Sequence, residues 1–201
     1  MVLLCALLIS GFPTLASELP FPFNPLSYNG RLEIRGLDDI TLVVLHATEL
    51  PDLATARDYG ERIHYPESGT GNSGHFYIDR DGAIEQWVGL KRVAHHVAGH
   101  NRHSIGIELV NRGRYPHWLD SQHQTWQEPI SQAQVQALVG LVKHLESALP
   151  NLSTIAGHDQ LDQRFVEASD DPQRAVRRKV DPGPDFPWSE VLESVGLERL
   201  R

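Results

Sequence analysis

The sequence predicts a single-domain α/β protein. Apolar, strand-like runs alternate with amphipathic helical stretches, and no internal repeat breaks the series. A chain of 201 residues suffices for one well-filled core and is short for two. Residues 18–38 are Pro-rich and irregular up to Arg31. Ile40 to Leu45 is a near-continuous β-branched and apolar run, the pattern of a buried strand. Asp52 to Ile63 reads as a helix, with Asp52 as cap before Leu53, Ala56, Tyr59 and Ile63. Ser68 to Gly74 is a glycine-rich loop. His75–Ile78 and Ile84–Val88 flank the turn Asp79-Arg80-Asp81-Gly82 and form a β-hairpin. Ile105 to Val110 is a further strand. In the helix Ser131 to Leu149, Ser131 and Gln134 make a capping box, and Val135, Leu138, Val139, Val142 and Leu145 make one stripe. Thr154 to Gly157 is a short strand, Asp159 to Arg178 a polar loop, and Pro187 to Val195 a final helix.

Eighteen Lys and Arg against 26 Asp and Glu give a net charge of −8, which argues against a nucleic-acid groove. The N-terminus reads as an export signal over residues 1–16. Val2 to Leu8 are uninterrupted apolar residues, and Thr14-Leu15-Ala16 has the small-x-small look of a cleavage site. No Lys or Arg precedes that run, and it is too short for a comfortable membrane span. Residues 17–38 then form an irregular N-terminal segment, and residues 39–201 the folded domain. Cleavage after Ala16 removes Cys5, the single cysteine, so any metal site must be built from His, Asp and Glu.

The run Arg177-Arg178-Lys179-Val180-Asp181-Pro182-Gly183-Pro184 is the most informative stretch. Lys179 and Asp181 leave an extended segment on one face, and Pro182 and Pro184 stiffen the backbone beyond them. His46 ends the Ile40–Leu45 strand, and His158 follows Gly157. Two His and one Asp, with a fourth position open, suit a catalytic zinc ion. On position alone, however, these residues are a weak signal, since a lone strand-end histidine is usually just a hydrogen-bonded side chain.

Read as a set, the motifs resemble the zinc-dependent N-acetylmuramoyl-L-alanine amidases, a group that includes the peptidoglycan recognition proteins. The matching segments are Val43-Val44-Leu45-His46-Ala47-Thr48, Ser73-Gly74-His75-Phe76-Tyr77-Ile78-Asp79-Arg80-Asp81-Gly82, Ser104-Ile105-Gly106-Ile107-Glu108-Leu109, Gly157-His158 and Lys179-Val180-Asp181-Pro182-Gly183-Pro184. They fall in the family's order over roughly residues 40–190. The resemblance implies a mixed central β-sheet flanked by helices, with one zinc ion per chain at one edge of the sheet. It implies His46, His158 and Asp181 as zinc ligands, Glu108 as the acid–base group, and Lys179 as the oxyanion partner. The chemistry agrees, since amide hydrolysis needs an activated nucleophile, charge stabilisation and a proton for the leaving amine.

Two departures sharpen the reading. Part of the family carries a tyrosine where this chain has Gly74, which leaves Glu108 to do that work. Asp181 as third ligand, the long 159–178 segment and the export signal point to the bacterial cell-envelope branch. His96 is then a candidate cleft residue, and Arg112, Arg114, Arg177 and Arg178 are candidates to hold stem-peptide carboxylates, because Arg pairs them bidentately. On pattern alone Glu108 also reads as a solvated strand residue, and Lys179 as part of the basic run from Arg174. His75 reads as packing; His95, His100 and His103 read as exposed polar residues. The expected partners are peptidoglycan or muropeptides, met by a monomer in the periplasm or cell envelope with no transmembrane span in the mature chain. The alternatives are a non-catalytic peptidoglycan-recognition module and a zinc peptidase cutting within the stem peptide.

Overall fold

The computed structural model describes residues 20–200, so the expected export signal lies outside the described residues. Strand β1 (Leu42–Ala47) pairs in parallel with β4 (Ser104–Leu109) and β5 (Thr154–Gly157). The hairpin β2 (Phe76–Ile78) and β3 (Ile84–Gln86) is antiparallel, and β2 joins β4 in parallel. With the short β8 (Glu198–Arg199) beside β5, the six-stranded mixed sheet runs β3-β2-β4-β1-β5-β8.

Strand alternation divides labour between the two faces of this sheet. Val43, Leu45, Phe76, Ile78, Ile105, Ile107, Leu109 and Ile155 point to one side. There they meet Val135, Leu138, Leu141, Val142 and Leu145 of helix α2 (Gln132–Ala148) and Val191 of α4 (Trp188–Ser194). The capping box of Ser131 and Gln134 forms as expected. Val135, Leu138, Val142 and Leu145 of the expected stripe are buried, Val139 is half-buried, and Leu141 and Gln134 are buried as well. Gln134 goes inside because its amide donates to the carbonyls of Ile78 and Val110, where β2 and β4 end. The opposite face carries Val44, His46, Gly106 and Glu108, and leads to a second cluster around Leu26, Tyr28, Tyr77 and Trp87.

Two expectations need correction. Helix α1 (Leu53–Gly60) stops before Ile63, which is exposed. Its end is the buried Gly60, packed against Leu26 and Trp87. The segment 159–178 is not merely a polar loop. It holds the one-turn α3 (His158–Leu161) and a second hairpin of β6 (Phe165–Glu167) and β7 (Ala175–Arg177). Val166 pairs with Val176 in that hairpin, and Asp162 ties Arg164 to Arg178 across its base. The two-residue β8 was too short to leave a pattern in the sequence.

Candidate active site

Parallel pairing delivers the candidate residues to one place. His46 and Glu108 are partners on adjacent strands, near the carboxyl ends of β1 and β4. His158 follows the carboxyl end of the neighbouring β5. Asp181 arrives on the extended segment before α4, with Asp159 N–H donating to the Asp181 carbonyl. His46 Nδ1 lies 3.0 Å and His158 Nδ1 3.1 Å from Asp181 Oδ2, all three residues being buried. They lie at the sheet's carboxyl edge and open into a cleft of about 440 Å³, which Glu108, Lys179, His96 and Arg178 also line.

Hydrogen bonds behind His46 determine where its proton sits. Ser104 Oγ donates to the His100 carbonyl at 2.9 Å and so accepts from His96 Nε2 at 3.1 Å. His96 Nδ1 is then a bare acceptor facing His46 Nε2 at 3.0 Å, which must donate. Burial, with His46 and His75 nearby, holds His96 well below the usual histidine range, so it stays neutral in this chain. A neutral His46 therefore turns a lone pair on Nδ1 towards the Asp181 carboxylate. Two acceptors at 3.0 Å repel unless a positive charge lies between them, either a second proton or a metal ion. His158 Nδ1 converges on the same carboxylate, and Asp181 Oδ1 is buried with no hydrogen-bond partner among the described residues. Donor chemistry and geometry both fit a zinc ion, for which a histidine ligand anchored through its other ring nitrogen is the usual arrangement. Burial pushes the Asp181 carboxyl up, but His158, Lys179 and the histidine hydrogen bonds more than offset this and hold it well below the ordinary range.

Glu108 and His96 each owe their position to a missing side chain. A Cβ on Gly74 would stand 2.7 Å from Glu108 Cγ, so the position that lacks tyrosine is the space Glu108 uses. A Cβ on Gly106 would stand 2.7 Å from the His96 ring, which therefore packs flat against the strand. Burial raises the Glu108 pKa; Asp181 adds to the rise, while His46 and Lys179 oppose it. Glu108 is thus a cleft residue, not a solvated one, and Lys179 faces the same space.

The arginine candidates separate. Arg178 lines the cleft, but the other three do not. Arg112 is exposed beside Tyr115, and its backbone N–H bonds Glu128. Arg177 turns away to donate to the Asp159 and Asp162 carbonyls and lies over Phe165. Arg114 is buried in a bidentate pair with Glu49, at 2.7 and 2.9 Å. It also donates to the carbonyls of Arg177 and Arg178, and so braces the segment that presents Lys179 and Asp181. With Nε, Nη1 and Nη2 all engaged inside the fold, Arg114 has no donor left for a ligand carboxylate. Among the histidines, His75 is fully buried against Arg35, whereas His95 is half-buried and lines the cleft beside Tyr65.

Sequence reasoning missed Ser104, Arg35 and Glu49. Arg35 donates to the carbonyls of Leu90, Asn101, Arg102 and Ser104, and fixes the loop that carries His96. Burial lowers its pKa to about 10, which still leaves it charged at neutral pH. Glu49 adopts a positive φ of 49°, uncommon for a residue with a side chain, directly after the strand that bears His46.

Residues 36–184 match the N-acetylmuramoyl-L-alanine amidase family. The chain belongs to that family. The N-acetylmuramoyl-L-alanine amidase AmiD of Escherichia coli (strain K12) is 34% identical over 110 residues, which are 55% of this chain and 32% of AmiD. The matched stretch thus spans about a third of the length of that curated relative. Among solved structures, the N-acetylmuramoyl-L-alanine amidase LysC from Clostridium intestinale URNW shares the fold with a TM-score of 0.58 at 22% identity, covering 90% of this chain and 100% of LysC. AmiD from E. coli, in complex with its substrate anhydro-N-acetylmuramic acid-L-Ala-D-gamma-Glu-L-Lys, gives a TM-score of 0.53 at 25% identity over 78% of this chain and 57% of that one. Bumblebee PGRP-SA has the same fold, with a TM-score of 0.55 at 17% identity over 90% of this chain and 98% of its own.

Proposed function

We propose that the protein is a zinc-dependent N-acetylmuramoyl-L-alanine amidase of the cell envelope, cutting the bond between N-acetylmuramic acid and L-alanine. The observation that carries this reading is the convergence of His46, His158 and Asp181 on one point, opposite Glu108 and Lys179, within a family domain. His46, His158 and Asp181 would hold the ion, which supplies Lewis-acid polarisation and acidification of water. Glu108, with its raised pKa, takes the proton of the attacking water and returns it to the leaving amine. Lys179 directs its ammonium at the oxygen that gains charge. His96 holds His46 in the ligating tautomer, and Arg178 is the arginine placed to meet a stem-peptide carboxylate.

Among the described residues, no helix is long and apolar enough to cross a membrane. The envelope location rests on the export-signal pattern of residues 1–16, and cell fractionation tests it. The chemistry is tested by mass spectrometry of muropeptides after incubation with the zinc-loaded protein. The expected products are a peptide with an unblocked N-terminal L-alanine and an intact glycan. Cuts between stem residues would instead show a peptidase, and tight binding without products would show a recognition module.

A further inference from the structure

Residues 112–128 form an excursion between β4 and α2 that the proposed chemistry does not use. Successive turns organise it: His117 N–H donates to the Arg114 carbonyl, Asp120 N–H to that of His117, and His123 N–H to that of Asp120. This repeat of three residues projects the side chains of His117, Asp120 and His123 to one side. His123 Nδ1 lies 3.0 Å from Asp120 Oδ1, and the two imidazole rings are 4.5 Å apart, tilted by 32°. One ligand atom from each of the three lies within 4.8 Å of the others.

We infer that His117, Asp120 and His123 form a second metal site, selective for a divalent transition-metal ion such as zinc. Imidazole nitrogens favour zinc, nickel or copper over calcium and magnesium, which want oxygen ligands. Donor atoms around tetrahedral zinc stand roughly 3.3 Å apart, given bonds of about 2.0–2.1 Å. The His123–Asp120 contact, at 3.0 Å, is close to that spacing, and the exposed His117 ring has a ligand atom within 4.8 Å of both. The backbone beneath is anchored independently of any ion. Gln124 donates to the Trp118 and Asp120 carbonyls, Trp118 Nε1 donates to the Glu49 carbonyl, and Ser121 bonds Asp170. Such anchoring fixes the ligand-bearing loop in advance and lowers the ordering cost of binding. Two histidines and one carboxylate leave coordination positions to water, and occupancy would staple the excursion that Arg114 ties to the Arg177–Arg178 backbone.

Equilibrium dialysis of untagged protein against zinc at neutral pH tests the site, with bound metal counted per chain. Wild type should bind two ions, and the His117→Ala/His123→Ala chain only one. Both histidines are exposed, so the variant should keep its far-ultraviolet circular dichroism and its muropeptide hydrolysis. In His46→Ala dialysed against zinc in the same way, the remaining single equivalent should belong to the loop and vanish on adding the two loop substitutions. Paramagnetic broadening by copper(II) added to wild type holding a single equivalent of zinc should begin at residues 117–123. A second equivalent unchanged in the loop variant, or broadening spread evenly over the surface histidines, would overturn the assignment.

Discussion

The Arg114→Met substitution should be among the most damaging single changes outside the metal ligands. Methionine keeps an apolar stem of similar reach but removes the guanidinium. The Arg114 side chain is 1% exposed and that of Glu49 is 7% exposed, so Glu49 would be left as a buried carboxylate without its counter-charge, keeping only the backbone N–H of residue 114. Breaking one side of a buried pair costs about 3–5 kcal/mol. That is a large share of the roughly 5–15 kcal/mol that holds a domain of this kind together. The Arg177 and Arg178 carbonyls lose their brace as well, so Lys179 and Asp181 should wander. Zinc affinity should then fall by about 10–100-fold, the usual effect of losing an outer support of a metal ligand. Urea denaturation of the zinc-free protein measures the first effect, and a competitive chelator titration the second. A double Glu49→Met/Arg114→Met chain should recover much of the stability, because no lone charge remains. A loss below about 1 kcal/mol in Arg114→Met is what a solvated ion pair gives, and it would refute the buried clamp.

Four further outcomes are expected. Glu108→Gln should keep zinc and lower turnover by about 10²–10⁴-fold. Because burial raises the Glu108 pKa and the working form is the carboxylate, the acid limb of kcat/KM should lie above the ordinary glutamate range. Activity is lost as pH falls through that limb, and the residual activity of Glu108→Gln should lack it; an unshifted limb in both chains would exclude Glu108 as the base. Gly74→Ala should displace Glu108 and depress turnover with zinc content unchanged, as read by metal analysis and steady-state kinetics. Ser104→Ala removes the acceptor that fixes the His96 tautomer, so zinc dissociation should quicken while the melting temperature changes little.

The sheet was legible because its signals are local. β-Branched runs, a turn sequence and a capping box each report on their own neighbourhood, and β1, the β2–β3 hairpin, α2 and β5 follow from them. His46, His158 and Asp181 were visible as residue types in suggestive settings, but their meeting depends on parallel pairing between distant segments. Arg114 shows the limit most sharply. An arginine in a polar stretch reads as solvated or ligand-binding, and only the fold reveals that Glu49 stands opposite it, 65 residues away. Ser104 was hidden for a similar reason, since its part depends on which nitrogen of His96 faces it. The 165–177 hairpin escaped because its two strands have three residues each, too few to show an alternation against the polar stretch around them.

The distance along the chain between His46 and Asp181, 135 residues, has a consequence for biosynthesis. A polypeptide emerging from its N-terminus can lay down β1, β4 and β5 and bring two histidines into register while the third ligand is still unmade. Until Asp181 arrives and Arg114 seizes the backbone just before it, the partial protein has no complete donor set with which to retain an ion. Catalytic competence is therefore among the last properties the nascent chain acquires.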